Sequence, residues 1–156
     1  MPKKKTWNEK LRDSKDLPKV VELTGKQAEK WGEGTMAIPA PIEVDELMRK
    51  VRKGKLTTIN LLRKQIAAKH GATVGCPITT GIFAWIAAHA AEESRAEGKK
   101  RVTPWWRTLK EGGVLNPKYP GGIKRQMELL EAEGHVIVPK GKKNFKVLDF
   151  EKKLTA

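Results

Sequence analysis

Cysteine occurs once, at Cys76, and tyrosine once, at Tyr119. A lone cysteine excludes an intramolecular disulfide and a thiolate-rich zinc site. The three histidines, His70, His89 and His135, are scattered without ligand spacing, so no metal and no cofactor are expected. Long apolar runs are missing too: no stretch approaches the ~20 residues of a membrane span. Lys3, Lys4 and Lys5 are not followed by the apolar segment of a secretory signal. The expectation is a cytoplasmic protein with no membrane partner. Acidic residues are also scarce. Eighteen Asp and Glu face thirty-two Lys and Arg, a formal charge of +14. Such an excess favours polyanionic partners, because each neutralised phosphate releases condensed counterions. A merely soluble basic protein, or one resting on anionic lipid, would share that composition.

What is present suits one compact domain with a short addition. Residues 1–37 form a basic N-terminal segment, expected to dock in part through Trp7, Leu11, Leu17, Val20, Val21 and Leu23. Within it Thr24 can cap a short helix through Trp31. Residues 38–156 form the expected main domain. Ile38-Pro39-Ala40-Pro41 reads as extended, since each proline biases its predecessor away from helix. Val44, Leu47, Met48 and Val51 fall at helical spacing. Thr57 or Thr58 caps a second helix carrying Ile59, Leu62, Ile66 and Ala67, and His70-Gly71 ends it. Thr79-Thr80 opens a third, with Ile82, Phe83, Trp85, Ile86, Ala87 and Ala90 as its apolar residues. Glu92 to Arg101 reads as a solvated charged stretch. Ile123 to Glu133 is a fourth helix, closed by Gly134. His135–Val138 and Phe145–Leu148, around a Pro-Lys-Gly-Lys-Lys turn, read as a C-terminal β-hairpin. The fold class is α+β, mostly helical, and two capped helices joined by a glycine-containing loop suggest a helix-turn-helix.

From Ile42 to Gly134 three segments occur in a telling order. They are Lys53-Gly54-Lys55-Leu56-Thr57-Thr58-Ile59, then Thr103-Pro104-Trp105-Trp106-Arg107, then Tyr119-Pro120-Gly121-Gly122-Ile123 followed by Leu129-Leu130-Glu131-Ala132-Glu133-Gly134. Together they resemble the DNA-binding domain of the alkylguanine-DNA alkyltransferases (methylated-DNA-protein-cysteine methyltransferases). In that family the middle segment is Pro-Cys-His-Arg, whose cysteine takes the alkyl group. A thiolate is the nucleophile, and an adjacent base lowers the cost of forming it. Here Trp105 and Trp106 stand at those two positions, and only Glu133 remains at the position of the family's buried glutamate. Indole cannot accept an alkyl group by this route.

Tryptophan in place of the cysteine is the mark of the alkyltransferase-like members. The resemblance therefore implies a non-catalytic protein with a winged helix-turn-helix-like domain that binds alkylated guanine in duplex DNA. It also implies base flipping, a handover to nucleotide excision repair proteins, a monomer, and a nucleoid-associated location. The implied lesion pocket comprises Trp105, Trp106, Arg107, Thr108, Tyr119, Gly121, Gly122 and Glu133. Trp105 either offers a flat apolar wall to a flipped base or plugs a vestigial pocket. The implied DNA-facing residues are Lys53, Lys55, Thr57, Thr58, Ile59, Thr79, Thr80 and Lys124. Departures accompany the match. Pro120 has no N–H to offer a base, Ile59 replaces a tyrosine, and no arginine occurs between Arg63 and Arg95 to serve as the family's intercalating residue near Thr80.

Alternatives remain open at this level. The chain could be a winged-helix regulator or architectural protein without lesion specificity, with Lys140, Lys142 and Lys143 as either a phosphate-contacting wing or a solvated tip. It could be an alkyltransferase using Cys76, which precedes a helix start, although a buried structural cysteine is the commoner role. Trp85 reads as core rather than base wedge, and His89 as a partly buried helix residue.

Overall fold

The Thr6 hydroxyl accepts a hydrogen bond from the Glu9 N–H while the Glu9 carboxylate accepts from the Thr6 N–H, a reciprocal cap that starts α1 (Trp7–Arg12). The computed structural model describes residues 5–155, so Lys3 and Lys4 lie outside the described residues. Helix α1 packs on α3 (Pro41–Arg49) and on α5 (Pro77–Ala96). Two backbone N–H groups of its first turn, on Trp7 and Asn8, donate to the Glu93 carboxylate at 3.0 and 3.1 Å. The stretch expected to be solvated from Glu92 onward is therefore helical to Ala96, and Glu93 is used as a clasp.

The expected N-terminal segment also contains a sheet. Strand β1 (Lys19–Glu22) pairs antiparallel with β2 (Thr35–Ile38), Lys19 opposite Ile38, and α2 (Gly25–Trp31) bridges them. Strand β2 pairs in parallel with β4 (Val74–Gly75). The boundary expected at residue 37 falls inside β2, and this sheet ties the first segment to the rest of the chain. Thr24 precedes α2 as expected but makes no side-chain cap.

Helix α4 (Ile59–His70) starts after the two-residue strand β3 (Thr57–Thr58), where the Thr58 hydroxyl accepts from the Leu61 N–H at 3.2 Å. It ends at Gly71, whose φ of 64° is the left-handed conformation glycine adopts without strain. Helix α5 begins two residues before the expected Thr79. Pro77 suits a first helical position, where no N–H is needed, and the Cys76 carbonyl accepts from the Thr80 N–H. Its buried residues include Thr80, Ala84, Ala87, Ala88 and Ala91, all small, so neighbouring helices approach closely. Ile82, one of the apolar residues expected on this helix, is 45% exposed.

Val44, Met48, Leu62, Ile66 and the α5 alanines surround Trp105 and Tyr119 in one core. A second core joins Leu56, Leu109, Leu115, Leu130 and Val147. It is built from β5 (Thr108–Leu109, parallel to β3), α6 (Gly122–Ala132) and the hairpin β6 (Ile137–Lys140) and β7 (Asn144–Val147). Trp106 touches both cores. Each fully buried aliphatic side chain contributes about 1.5–3 kcal/mol. The molecule is mixed α and β and mostly helical, with six α-helices among the described residues. No described helix is long and apolar enough to cross a membrane.

Candidate nucleic-acid interface

Trp105, Trp106 and Arg107 form a single tight turn leading into β5. The Trp105 ring is wholly buried, with its edge toward Trp106 (centroids 5.7 Å apart) and Tyr119 (5.4 Å). Tyr119 is buried as well, which pushes its phenol up from its ordinary value, and Thr108 has no exposed surface. The ring therefore fills the space where a base was expected to stack. The indole N–H of Trp105 and the hydroxyls of Thr108 and Thr57 have no hydrogen-bond partner.

Arg107 occupies the remaining polar part of the motif. Its Nε donates to Glu133 Oε1 at 2.9 Å, its Nη2 to Oε2 at 2.6 Å, and its Nη1 to the Val51 carbonyl at 2.7 Å. Burial pushes the Glu133 carboxyl up, but the Arg107 fork outweighs it and holds the group below its ordinary range. Glu133 is thus a structural anion locked to an arginine rather than a group poised to move a proton.

The loop before α6 is pinned to this turn. Buried Gln126 accepts from the Asn116 N–H at 2.8 Å and donates to the Trp106 carbonyl at 3.1 Å. Gly121 and Gly122 have φ of 78° and 69°, a consecutive left-handed pair that other residues would strain to adopt. A Cβ on Gly121 would also collide with Arg125.

Beside this buried turn lies an open cleft of about 580 Å³. It is lined by Ile78, Gly81, Ile82 and Trp85 of α5 and by Ile59 at the start of α4. Lys110 and the Asn116–Lys118 loop close the other side. Trp85 was expected in the core; instead it is half-buried on the cleft wall, and its indole N–H donates to the Lys118 carbonyl at 3.0 Å. It keeps edge-on contacts to Trp7 at 4.9 Å and to His89 at 5.3 Å. Ile59 packs against the core holding Trp105 and Tyr119, so the cleft and the buried aromatic pair share a wall.

The structure divides the sequence-derived residues into three sets. Lys53, Lys55, Lys124 and Gly121 are exposed, and Ile59 lines the cleft. Trp106, Arg107, Gly122 and Glu133 are half-buried around the motif. Thr57, Thr58 and Thr80 are buried, and the Thr79 hydroxyl is shut off from solvent. The Thr58 hydroxyl is committed to capping α4. The sequence reading missed Ile78, Gly81, Ile82, Trp85, Lys110 and the 116–118 loop. The signal was there, since positions 78, 81, 82 and 85 share one helical face (i, i+3, i+4, i+7) that competes with the alanine stripe for the core.

Cys76 is buried against Leu23 and Met36 in a third apolar cluster, away from the aromatic turn. His89 stacks on Trp7 at 4.4 Å, and its burial lowers its pKa. Among the described residues no group of three metal-ligating side chains comes together.

These features define a fold known from DNA-bound alkyltransferase-like proteins. Schizosaccharomyces pombe Atl1 in complex with damaged DNA containing O6-carboxymethylguanine superposes with a TM-score of 0.54 at 17% identity. S. pombe ATL in complex with DNA gives 0.53 at 21% identity. Each match covers 74% of this chain and 94% of the other. At such identities the likeness is one of fold. No protein-family profile and no curated protein matches the sequence.

Proposed function

We propose that this protein belongs to the alkyltransferase-like proteins, binds duplex DNA, and recognises alkylated guanine without removing the alkyl group. The observation that carries the reading is Trp105, buried within the segment that resembles the family's Pro-Cys-His-Arg motif, in a fold shared with a solved protein bound to damaged DNA. Two further features support the absence of chemistry. Glu133 is spent on Arg107, and the one thiol, Cys76, is buried elsewhere. The net charge of +14 and the exposed Lys53, Lys55 and Lys124 supply phosphate contacts.

On this reading the lesion is turned out of the duplex toward the cleft, and Trp105 supports the cleft from behind. Flipping costs least when alkylation has already weakened the pair, so selectivity arises without a reactive residue. The protein acts as a monomer that marks the site for excision repair proteins in the cytoplasmic nucleoid. Incubation with a duplex carrying O6-methylguanine tests the reading: a complex should form while the intact mass of the protein stays unchanged. A stoichiometric gain of one methyl group, lost in Cys76→Ser, would instead establish an alkyltransferase.

The burial of Trp105 and Tyr119 favours one other reading, a winged-helix DNA-binding protein with a filled vestigial pocket. In that case alkylated and plain duplexes bind alike.

A further inference from the structure

Away from the cleft, four cations gather around a second hollow. A recess of about 240 Å³ lies where α1, α3 and the end of α5 meet residues 99–103. Arg12, Arg49, Lys99 and Arg101 line it, and all four residues are exposed. Of these, only Arg49 forms an ion pair among the described residues, with Asp45 at 2.8 Å.

The recess is polar at depth, and its walls are tied together. Asp45, Ser94 and Thr103 line it and are buried. The Thr103 hydroxyl donates to Asp45 Oδ1, which joins α3 to the segment after α5. The Asn8 amide donates to the Ser94 hydroxyl at 3.1 Å, which joins α1 to α5. Such a site is set before a ligand arrives, so binding costs little ordering. Glu93 is turned to the first N–H groups of α1 and does not line the recess. Asp45 is thus its one carboxylate among the described residues.

We propose that this recess binds a small phosphate monoester, its phosphate held by Arg12, Lys99 and Arg101. Like charges drawn around one hollow repel each other, and a bound anion removes that cost. Four cations against one carboxylate leave an excess that a dianion matches better than a monoanion. Guanidinium forks also fit phosphate oxygens in pairs. The volume lies below the roughly 300–1,000 Å³ of a drug-sized pocket, so a small ester enters and a duplex does not. Leu11, Ile42 and Val102 supply an apolar surface for its carbon atoms. Arg12 belongs to α1, so the ligand clamps the N-terminal segment to the main domain. From about 100° and 1.5 Å per residue, Ala90, Ala91 and Ser94 lie on the side of α5 opposite Ile78, Ile82 and Trp85, about 15 Å further along its axis. The site therefore stands whether or not the DNA-binding reading holds.

Calorimetric titration of the full chain at fixed ionic strength tests it, with inorganic phosphate, ribose 5-phosphate and ribose as probes. Both phosphates should saturate one site per chain, the ester more tightly, and ribose should not bind. Arg12→Gln and Arg101→Gln should each weaken ester binding roughly tenfold, the loss of one charge-assisted hydrogen bond. Neither should lower the melting temperature of the unliganded protein, since neither arginine has an ion-pair partner among the described residues. Arg12→Lys should recover part of the affinity. The double variant Lys142→Gln/Lys143→Gln, which removes two exposed charges on the hairpin turn, should bind as the wild type does. A saturating plain duplex should leave the stoichiometry unchanged. Absence of saturable binding by either phosphate, equal weakening in the hairpin variant, or displacement of the ester by duplex overturns the proposal.

Discussion

Trp105 takes up more buried volume than any other fully enclosed side chain among the described residues, and it does so at a position the resemblance assigns to chemistry. Its loss should act first on stability. Trp105→Ala should cost about 3–5 kcal/mol in urea unfolding, the usual range for deleting a buried tryptophan. A loss under about 1 kcal/mol would mean the ring is not the packed element its burial indicates. Residue-scale electrostatics predicts a pH effect as well. Burial holds His135 and His89 below the ordinary histidine value, despite opposing carboxylates near each. A histidine with a depressed folded pKa stabilises the fold above its unfolded value of about 6.5, and that stability is lost as pH falls through the folded pKa. The melting temperature should therefore decline from pH 7 toward pH 5. His135→Asn should flatten the slope, and an unchanged slope in this variant would exclude His135 as a contributor.

At the scale of elements, the helix ends carry the testable chemistry. Thr58 caps α4 and is buried while doing so, so Thr58→Ala should cost about 1 kcal/mol without touching a DNA contact. Melting of the free protein and affinity for plain duplex, measured together, check both halves. The same helix shows why parts of the fold were legible in the sequence. Thr58, the Leu62/Ile66 stripe and His70-Gly71 agree on one helix, and both ends fall where those residues put them. The hairpin was legible too, since β-rich runs flank a lysine-rich turn, and β6 and β7 pair as expected. The sheet of β1, β2 and β4 was not. Its partners are short, lie far apart in sequence, and are joined by pairings that no local period records. Helix α5 misled in another way. Ala87 and Ala90 bury and Phe83 and Ile86 pack on the core as their hydrophobicity suggests, but Ile82 is exposed and Trp85 half-buried on the cleft side. The candidate site shared that fate: the motif order located the aromatic turn, but the open cleft beside it is lined by Ile82 and Trp85, whose hydrophobicity pointed to the core, and by residues no motif marked.

Over the whole molecule, charge and fold act together. A surface of net +14 should bind duplex DNA with strong salt dependence, losing on the order of 10- to 1000-fold in affinity between low and physiological salt. Affinity that stays flat with salt would remove the electrostatic part of the account. The central claim, however, is discrimination between damaged and intact DNA, which charge alone cannot provide because phosphate contacts carry no base information. It is tested most directly by the ratio of affinities for two duplexes that differ only in guanine against O6-methylguanine at one site, at one salt concentration. The account predicts tighter binding to the alkylated duplex by about tenfold or more, reflecting the lower cost of displacing a base from a weakened pair. Equal affinity for the two duplexes would contradict it.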